Sequence, residues 1–256
     1  MIVETVAEVL AKNALITAFV FVGGVVWVSY WLSDRLTGGR LHGSALAIVI
    51  GLLLAYAGGV ATGGTQGLAG VPLLAGVGVL GGAMFRDFAI VATAFGADVR
   101  ALRRAGWIGA ASVVIGVVLS FVVGAGVAVA FGYTDPVAVT TIGAGAATYI
   151  VGPVTGTALG AESDVIALSV AAGLTKSVLV MVGTPFVARA VGLTTPRAAL
   201  VYGGLMGTTS GVAGGLAATD PKLVPYGAMT ATFYTGMGCL LAPSLLYLLT
   251  RAVLPG

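Results

Sequence analysis

Lys, Arg, Asp and Glu together fill only 8% of the 256 positions, while 58% are hydrophobic and the mean hydropathy is +1.08. Ordinary soluble domains carry about a quarter charged residues, so this balance excludes a water-soluble enzyme or nucleic-acid binder and implies a polytopic membrane chain. The net charge of +3 is small, and its positive residues sit beside apolar segments, where they report orientation rather than nucleic-acid binding.

A transmembrane helix needs about 20 largely apolar residues, and the chain offers about six or seven such segments with short connections. The opening "MIVETVAEVLAKN" places Glu4 and Glu8 before Lys12, the wrong sign for a signal-peptide n-region, and reads as an amphipathic helix leading into an uncleaved first span. That span covers 14–32, with Trp27, Tyr30 and Trp31 as interfacial anchors. A second span covers about 44–61. The apolar run 68–97, interrupted only by Arg86 and Asp87, is too long for one untilted span and is expected to bend at Gly81-Gly82. A long fourth span, 106–132, completes the first part of a single membrane domain. Residues 133–256 read as two units, each a Gly/Thr-rich segment followed by a span: 137–161 with 165–188, and 198–218 with 224–250. Cys239, alone in the chain and inside "MGCLLAPSLLYLL", reads as a small apolar filler.

Basic residues sort the loops. Arg35 and Arg40, then Arg100, Arg103 and Arg104, then Arg189 and Arg197 mark cytoplasmic connections, whereas "TGGTQG", "YTDP" and "AESD" carry no Lys or Arg. The positive-inside rule therefore puts the N-terminus outside. Because "YTDP" and "AESD" both prefer the outside, residues 137–161 are expected to enter and leave on one face as a re-entrant hairpin. Irregular backbone at that depth is tolerated only where protein buries it or it lines a cavity. Residues 155–191 also resemble 210–253: a Gly/Thr-rich segment, an acidic turn, a long apolar helix with an internal proline, and a terminal Arg-Ala-Val. If 198–218 is a second hairpin it enters from inside, giving two units of opposite topology, a recurrent transporter design. Full crossing by 198–218 is the alternative, and the charge of Arg251 slightly favours it.

No nucleotide loop, metal-ligand cluster or hydrolase triad is present, so nothing points to an enzyme or a resident cofactor. His42, the single histidine, lies in a cytoplasmic-side loop and reads as solvated. Charge within hydrocarbon is costly and usually functional. Lys176, mid-span in "AGLTKSVLV", is therefore a candidate substrate residue, with a buried ion pair to Asp87 as the competing reading. Arg86 could clamp a carboxylate bidentately, and Asp87 could give an oxygen to sodium. At the Gly/Thr-rich breaks, exposed N–H groups suit anions, while unwound carbonyls and hydroxyls suit sodium. The expected substrate set is Lys176, Arg86, Gly152 beside Pro153, Thr155, Thr208, Thr209 and Ser210. The expected sodium set is Asp87, Thr148, Thr157, Gly207 and Gly211. Close helix packing is the competing explanation for the glycines.

These motifs, "GGAMFRDFAIVATAFGAD", "TIGAGAATYIVGPVTG", "SDVIALSVAAGLTKS", "GLMGTTSGVAGGLAATDPKLVPYGAMTATFYTG" and "GCLLAPS", together with 27–56, resemble the larger, M subunit of bacterial malonate:sodium symporters, the MadM family. The resemblance covers nearly the whole chain. It implies sodium-coupled malonate uptake across the cell membrane, sodium as coupling ion, and a smaller membrane subunit, MadL, as partner; a higher oligomer is a further expectation. A weaker likeness to glutamate:sodium symporters, in "GADVRALRRAGWIG" and "GYTDPVAVTTIGAGAATYIVGPVTG", implies a core of hairpins and broken helices moving against a scaffold. The expected fold is thus an all-α polytopic bundle with two re-entrant hairpins or broken helices in an inverted repeat. The expected function is alternating-access symport, with an anion channel or a non-binding structural subunit as rivals.

Overall fold

The computed structural model describes residues 2–38, 41, 43–64, 67–80 and 99–254. Every regular element among the described residues is helical. The chain divides into two compact units, residues 1–95 and 96–256.

In the first unit, α1 (Ile2–Lys12) is the expected short leading helix, and α2 (Ala14–Thr37) and α3 (Gly43–Thr62) are the first two spans. α2 stops at Gly38, whose φ of 58° is the left-handed conformation that ends a helix at least cost to glycine. Ring carbons of Tyr30 lie against Gly43, holding the two helices together at the turn. The start of the expected third span is not one continuous helix: residues 67–80 form 3-10 turns at Gly67–Gly70 and Pro72–Leu74, followed by the short α4, Gly76–Val79. Its continuation, with the bend at 81–82, lies outside the described residues.

In the second unit α5 (Val99–Ala130) is kinked at Gly106, where φ is 62°, and the apolar stretch from 106 to 130 is long enough to cross a bilayer. α6 (Pro136–Ala147) starts where sequence chemistry dictates: Asp135 accepts the Ala138 N–H at 2.8 Å and Pro136 occupies the first turn. After a break at 148–150 comes α7 (Val151–Leu159), then the long α8 (Ser163–Val187). The same succession recurs. α9 (Pro196–Met206) is capped by Thr195 and begins with a proline, a break follows at 207–208, and α10 (Thr209–Ala217) precedes α11 (Val224–Leu241). α7 and α10 are both nine residues long and start 58 positions apart. α11 continues through a π-helical segment, Ala242–Leu246, into α12 (Tyr247–Val253). Pro243 lacks the N–H an α-helical ladder would use, which accounts for the change of hydrogen-bond register there.

Close approaches fix helix directions. α6 runs parallel to α8, with Gly145 against Ser169 and Tyr149 against Gly173. α7 runs antiparallel to α8, with Gly152 against Ser169 and Gly156 against Ile166. α6 and α7 thus lie side by side and antiparallel, Gly145 beside Gly152 and Thr141 beside Gly156. α9 runs parallel to α11, with Gly203 against Gly227 and Gly207 against Tyr234. α10 runs back along α11, from Gly207 against Tyr234 just before its start to Leu216 against Gly227 near its end, while α9 and α10 make few contacts with each other. α10 is parallel to α8, through Gly211 with Ser177 and Gly215 with Thr184.

Five stretches among the described residues are long and apolar enough to cross a membrane: 14–37, 43–74, 106–130, 163–187 and 221–253. Their outer faces remain apolar. Trp107 is 79% exposed, Phe186 80% and Leu240 71%, an arrangement suited to hydrocarbon as solvent.

A methyl group tests the packing. At Gly145 an added Cβ would meet the Ser169 carbonyl of α8, so Gly145→Ala must push two backbones apart. At Gly126 of α5 nothing lies within 4 Å. The expected result is a loss of about 1–3 kcal/mol for Gly145→Ala and none for Gly126→Ala, read from thermal unfolding of the detergent-solubilised protein. Equal stability of the two variants would contradict the packing.

Candidate functional site

Both chain breaks meet the middle of α8. Lys176 lies thirteen residues into that 25-residue helix, and its ammonium is held by three oxygens from three other elements. It donates to the Ala147 carbonyl at the end of α6 (2.7 Å), to Ser120 Oγ of α5 (2.8 Å) and to Tyr234 Oη of α11 (3.2 Å). Tyr234 Oη in turn donates to the Gly116 carbonyl at 3.1 Å. An ammonium has three donors and a phenol one donor, so this set is saturated. The Lys176 nitrogen also stands 5.0 Å from the Tyr234 ring centre. Among the described residues no carboxylate pairs with Lys176; its partners are all neutral oxygens.

The position is electrostatically apt. α6 ends at Ala147 because Thr148 turns to extended backbone (φ −161°, ψ 151°), and the C-terminal end of a helix carries partial negative charge. A lysine there is stabilised without an acidic partner. The second break is tied to the next residue of α8: Ser177 Oγ and Thr208 Oγ1 share a hydrogen bond of 2.5 Å. Thr208 caps α10 by accepting the Gly211 N–H at 3.4 Å. Gly207 has φ 71° and packs on the Tyr234 ring, where a Cβ would collide, so glycine is required there on both counts.

Lys176 also lines a cleft of about 760 Å³ between α5, α6, α8 and α9. Its walls are largely aliphatic, with Ser120, Thr175, Thr184 and Tyr202 as the other hydroxyl-bearing members and Lys176 as the one cationic residue among the described lining. Thr184 and Tyr202 bond each other at 2.7 Å across the α8–α9 junction.

The predicted residues separate into groups. Lys176, Thr148, Gly207, Thr208 and Gly211 come together at the breaks. Gly152 is buried at the α6–α7–α8 packing contact, where the competing explanation, close approach of helices, is the one its neighbours support. Thr155 is fully buried and its hydroxyl has no partner, as is true of the Thr140 hydroxyl and of Ser210 Oγ on α10. Thr209 is partly buried in the first turn of α10. Thr157 lies on the exposed face of α7. Arg86, Asp87 and His42 lie outside the described residues. Cys239 is partly buried against an apolar cluster, the filler role expected of it.

Sequence reasoning missed Ser120, Ser177 and Tyr234. Two signals were available. Ser120 is the one hydroxyl in the aliphatic run "VVIGVVLSFVVGAGVAVAFG", and Lys176 and Tyr234 are separated by the same 58 residues that separate the starts of α7 and α10.

A family model described as "Malonate/sodium symporter MadM subunit" matches residues 6–254. No curated protein matches the chain. No solved structure matches it.

The Ser177–Thr208 bond is buried and joins α8 to the second break, so Ser177→Ala is expected to loosen that break locally. Loss of one such bond destabilises by about 1 kcal/mol, which corresponds to roughly fivefold faster amide exchange in peptides covering 207–211. Unchanged exchange there would mean that the glycine packing alone holds the break.

Proposed function

The chain belongs to the malonate/sodium symporter MadM subunit family, and on that premise we propose that it carries the malonate and sodium sites of a secondary transporter working by alternating access. The observation that carries the reading is Lys176: a mid-span cation, without a carboxylate partner among the described residues, at the meeting point of two helix breaks and on the wall of a cleft. Intramembrane charge is expensive and is retained where it does work.

In this reading a malonate dianion enters between the breaks. One carboxylate takes a charge-assisted bond from Lys176, and the other faces the first turns of α7 and α10, where N–H groups near Gly152, Thr155, Thr208, Thr209 and Ser210 favour an anion. The unpartnered hydroxyls of Thr155 and Ser210 fit groups awaiting a ligand. Sodium takes carbonyl and hydroxyl oxygens at the first break, around Thr148; Gly207 and Gly211, packed on the Tyr234 ring and on Ser177, and Thr157, on the exposed face of α7, are left out of the set. Charge favours the pairing: malonate brings two negative charges, Lys176 offers one positive charge, and sodium supplies the second.

The helix directions support two re-entrant hairpins in an inverted repeat. α6 is parallel and α7 antiparallel to α8, while α9 is parallel and α10 antiparallel to α11. α10 is parallel to α8 and antiparallel to α11, so the second set runs opposite to the first. Rocking such units about a site at their shared midpoint opens it to each side in turn. The N-terminus is outside, and a smaller subunit, MadL, completes the transporter.

The test is accumulation of labelled malonate in proteoliposomes holding the chain with MadL and, separately, alone. A sodium gradient should drive uptake above equilibrium, and malonate affinity should rise with sodium because coupling between ligands is reciprocal. Equilibration without accumulation would identify a channel, and uptake indifferent to sodium would end the symport reading. Lys176→Ala should reduce malonate affinity by about 10–100-fold, the worth of one bond to a charged group, with membrane insertion retained. Normal transport in that variant removes Lys176 from the site.

A further inference from the structure

We infer that the Lys176 ammonium occupies the sodium site of the empty carrier, and that sodium takes its place on the Ala147 carbonyl as the lysine turns to the substrate carboxylate. This rests on the reading of Lys176 as substrate-facing and adds the means of coupling.

All three ammonium donors are engaged, by Ala147 O, Ser120 Oγ and Tyr234 Oη, at 2.7, 2.8 and 3.2 Å. A carboxylate cannot be added to a saturated ammonium; it must replace one of these acceptors. The three differ in what happens to them on release. Tyr234 Oη keeps its bond to the Gly116 carbonyl. Ser120 lines the cleft, where an incoming ligand can take the place of the lysine on its hydroxyl. Ala147 O is the last carbonyl of α6: the N–H four residues on belongs to Val151, which donates to Thr148 O instead, and Ala147 itself is 1% exposed. Once the lysine leaves, that carbonyl has lost its cation in a buried setting, and another cation is the natural replacement. Sodium is of suitable size and prefers such oxygens, with Ser120 Oγ and the Thr148 backbone as further ligands beside it. Malonate therefore draws the lysine away and creates the vacancy that sodium fills, while sodium in that vacancy prevents the lysine from returning. Neither ligand binds well without the other, and cotransport follows from one side chain being shared between two sites.

The experiment is equilibrium binding of radioactive sodium to the purified full chain in lipid nanodiscs, with and without malonate. The native protein should bind sodium weakly alone and about 5–150-fold more tightly with saturating malonate, the usual span of coupling between sites. Lys176→Met leaves the carbonyl permanently vacant. Its sodium affinity without malonate should rise at least about tenfold, and malonate should no longer alter it. Tyr234→Phe removes one acceptor from the lysine while keeping the ring beneath Gly207. It should move sodium affinity in the same direction, about threefold, and it tests the idea even if Lys176→Met fails to fold. Unchanged or weaker sodium binding in the folded variants overturns the exchange. Loss of malonate affinity in Lys176→Met with sodium affinity unchanged overturns the exchange but leaves the substrate role of Lys176 standing. Retained malonate affinity in that variant overturns the substrate role itself, and the exchange with it.

Discussion

A single ammonium group, placed at the middle of a membrane-spanning helix, sets the terms for the core of residues 96–256. Hydrocarbon offers no hydrogen-bond partners, so Lys176 must find three oxygens inside the protein. It takes them from α5, the end of α6 and α11, and each demand shapes the chain that meets it. α6 must stop at Ala147 to expose a carbonyl, hence the extended Thr148. α5 must carry a hydroxyl in an otherwise aliphatic run, hence Ser120. α11 must bring a phenol to the same point, and Tyr234 arrives fully buried, with its ring covered by Gly207 and its own proton placed on Gly116. No carboxylate enters this set among the described residues. A lysine paired with an aspartate would be a stable, closed salt bridge, whereas one held by neutral oxygens remains available to an incoming anion.

The glycines have a mainly mechanical role. Gly145 against Ser169 and Gly203 against Gly227 bring backbones nearly into contact, so helices pack at distances that a methyl group would forbid. Two short helices can therefore press against each long one at the depth where their ends are needed. The breaks themselves use little glycine. The first, at 148–150, contains none, and the second needs only Gly207, where a positive φ and the Tyr234 ring together leave no alternative. Close packing and binding are thus successive consequences of the same residues: packing delivers helix ends to the middle of α8, and the ends supply the chemistry.

The sequence made most of the long spans, the second break and Lys176 legible, because each depends on local pattern: apolar length, a Gly/Thr cluster, and one charge in an aliphatic run; the first break falls at 148–150, ahead of the expected Gly152-Pro153 and Thr155, which lie inside α7. The lysine's partners were not legible, because they depend on which helix faces come together. Ser120 and Tyr234 lie 56 and 58 positions from Lys176, within runs that read as ordinary apolar spans. Thr157 illustrates the opposite error: it shares a motif with Thr155, but two residues along a helix turn the side chain to the far face, and only Thr155 is buried. The course of 198–218 was also open in the sequence, since the internal repeat suggested a hairpin entering from inside while the charge of Arg251 slightly favoured full crossing. The contacts give helix directions that no local pattern carries: α9 is parallel and α10 antiparallel to α11.

The two breaks occupy matching positions but are not chemically equivalent, and that inequality suits a carrier of one anion and one cation. The first ends in a carbonyl that already holds a positive group, the Lys176 ammonium. The second ends in a cap whose hydroxyls satisfy each other, Thr208 with Ser177, and leaves the Ser210 hydroxyl buried and unpaired in the first turn of α10. A buried helix start with a spare hydroxyl is suited to an anion. Had both breaks carried a lysine, the pair would have repelled each other and bound a dianion without need of sodium; had neither, the substrate would have faced two helix starts and no mobile charge. With one lysine between unlike ends, the positive charge available to a dianion falls short by one unit, and Ala147 and Thr208 present different chemistry on either side of it.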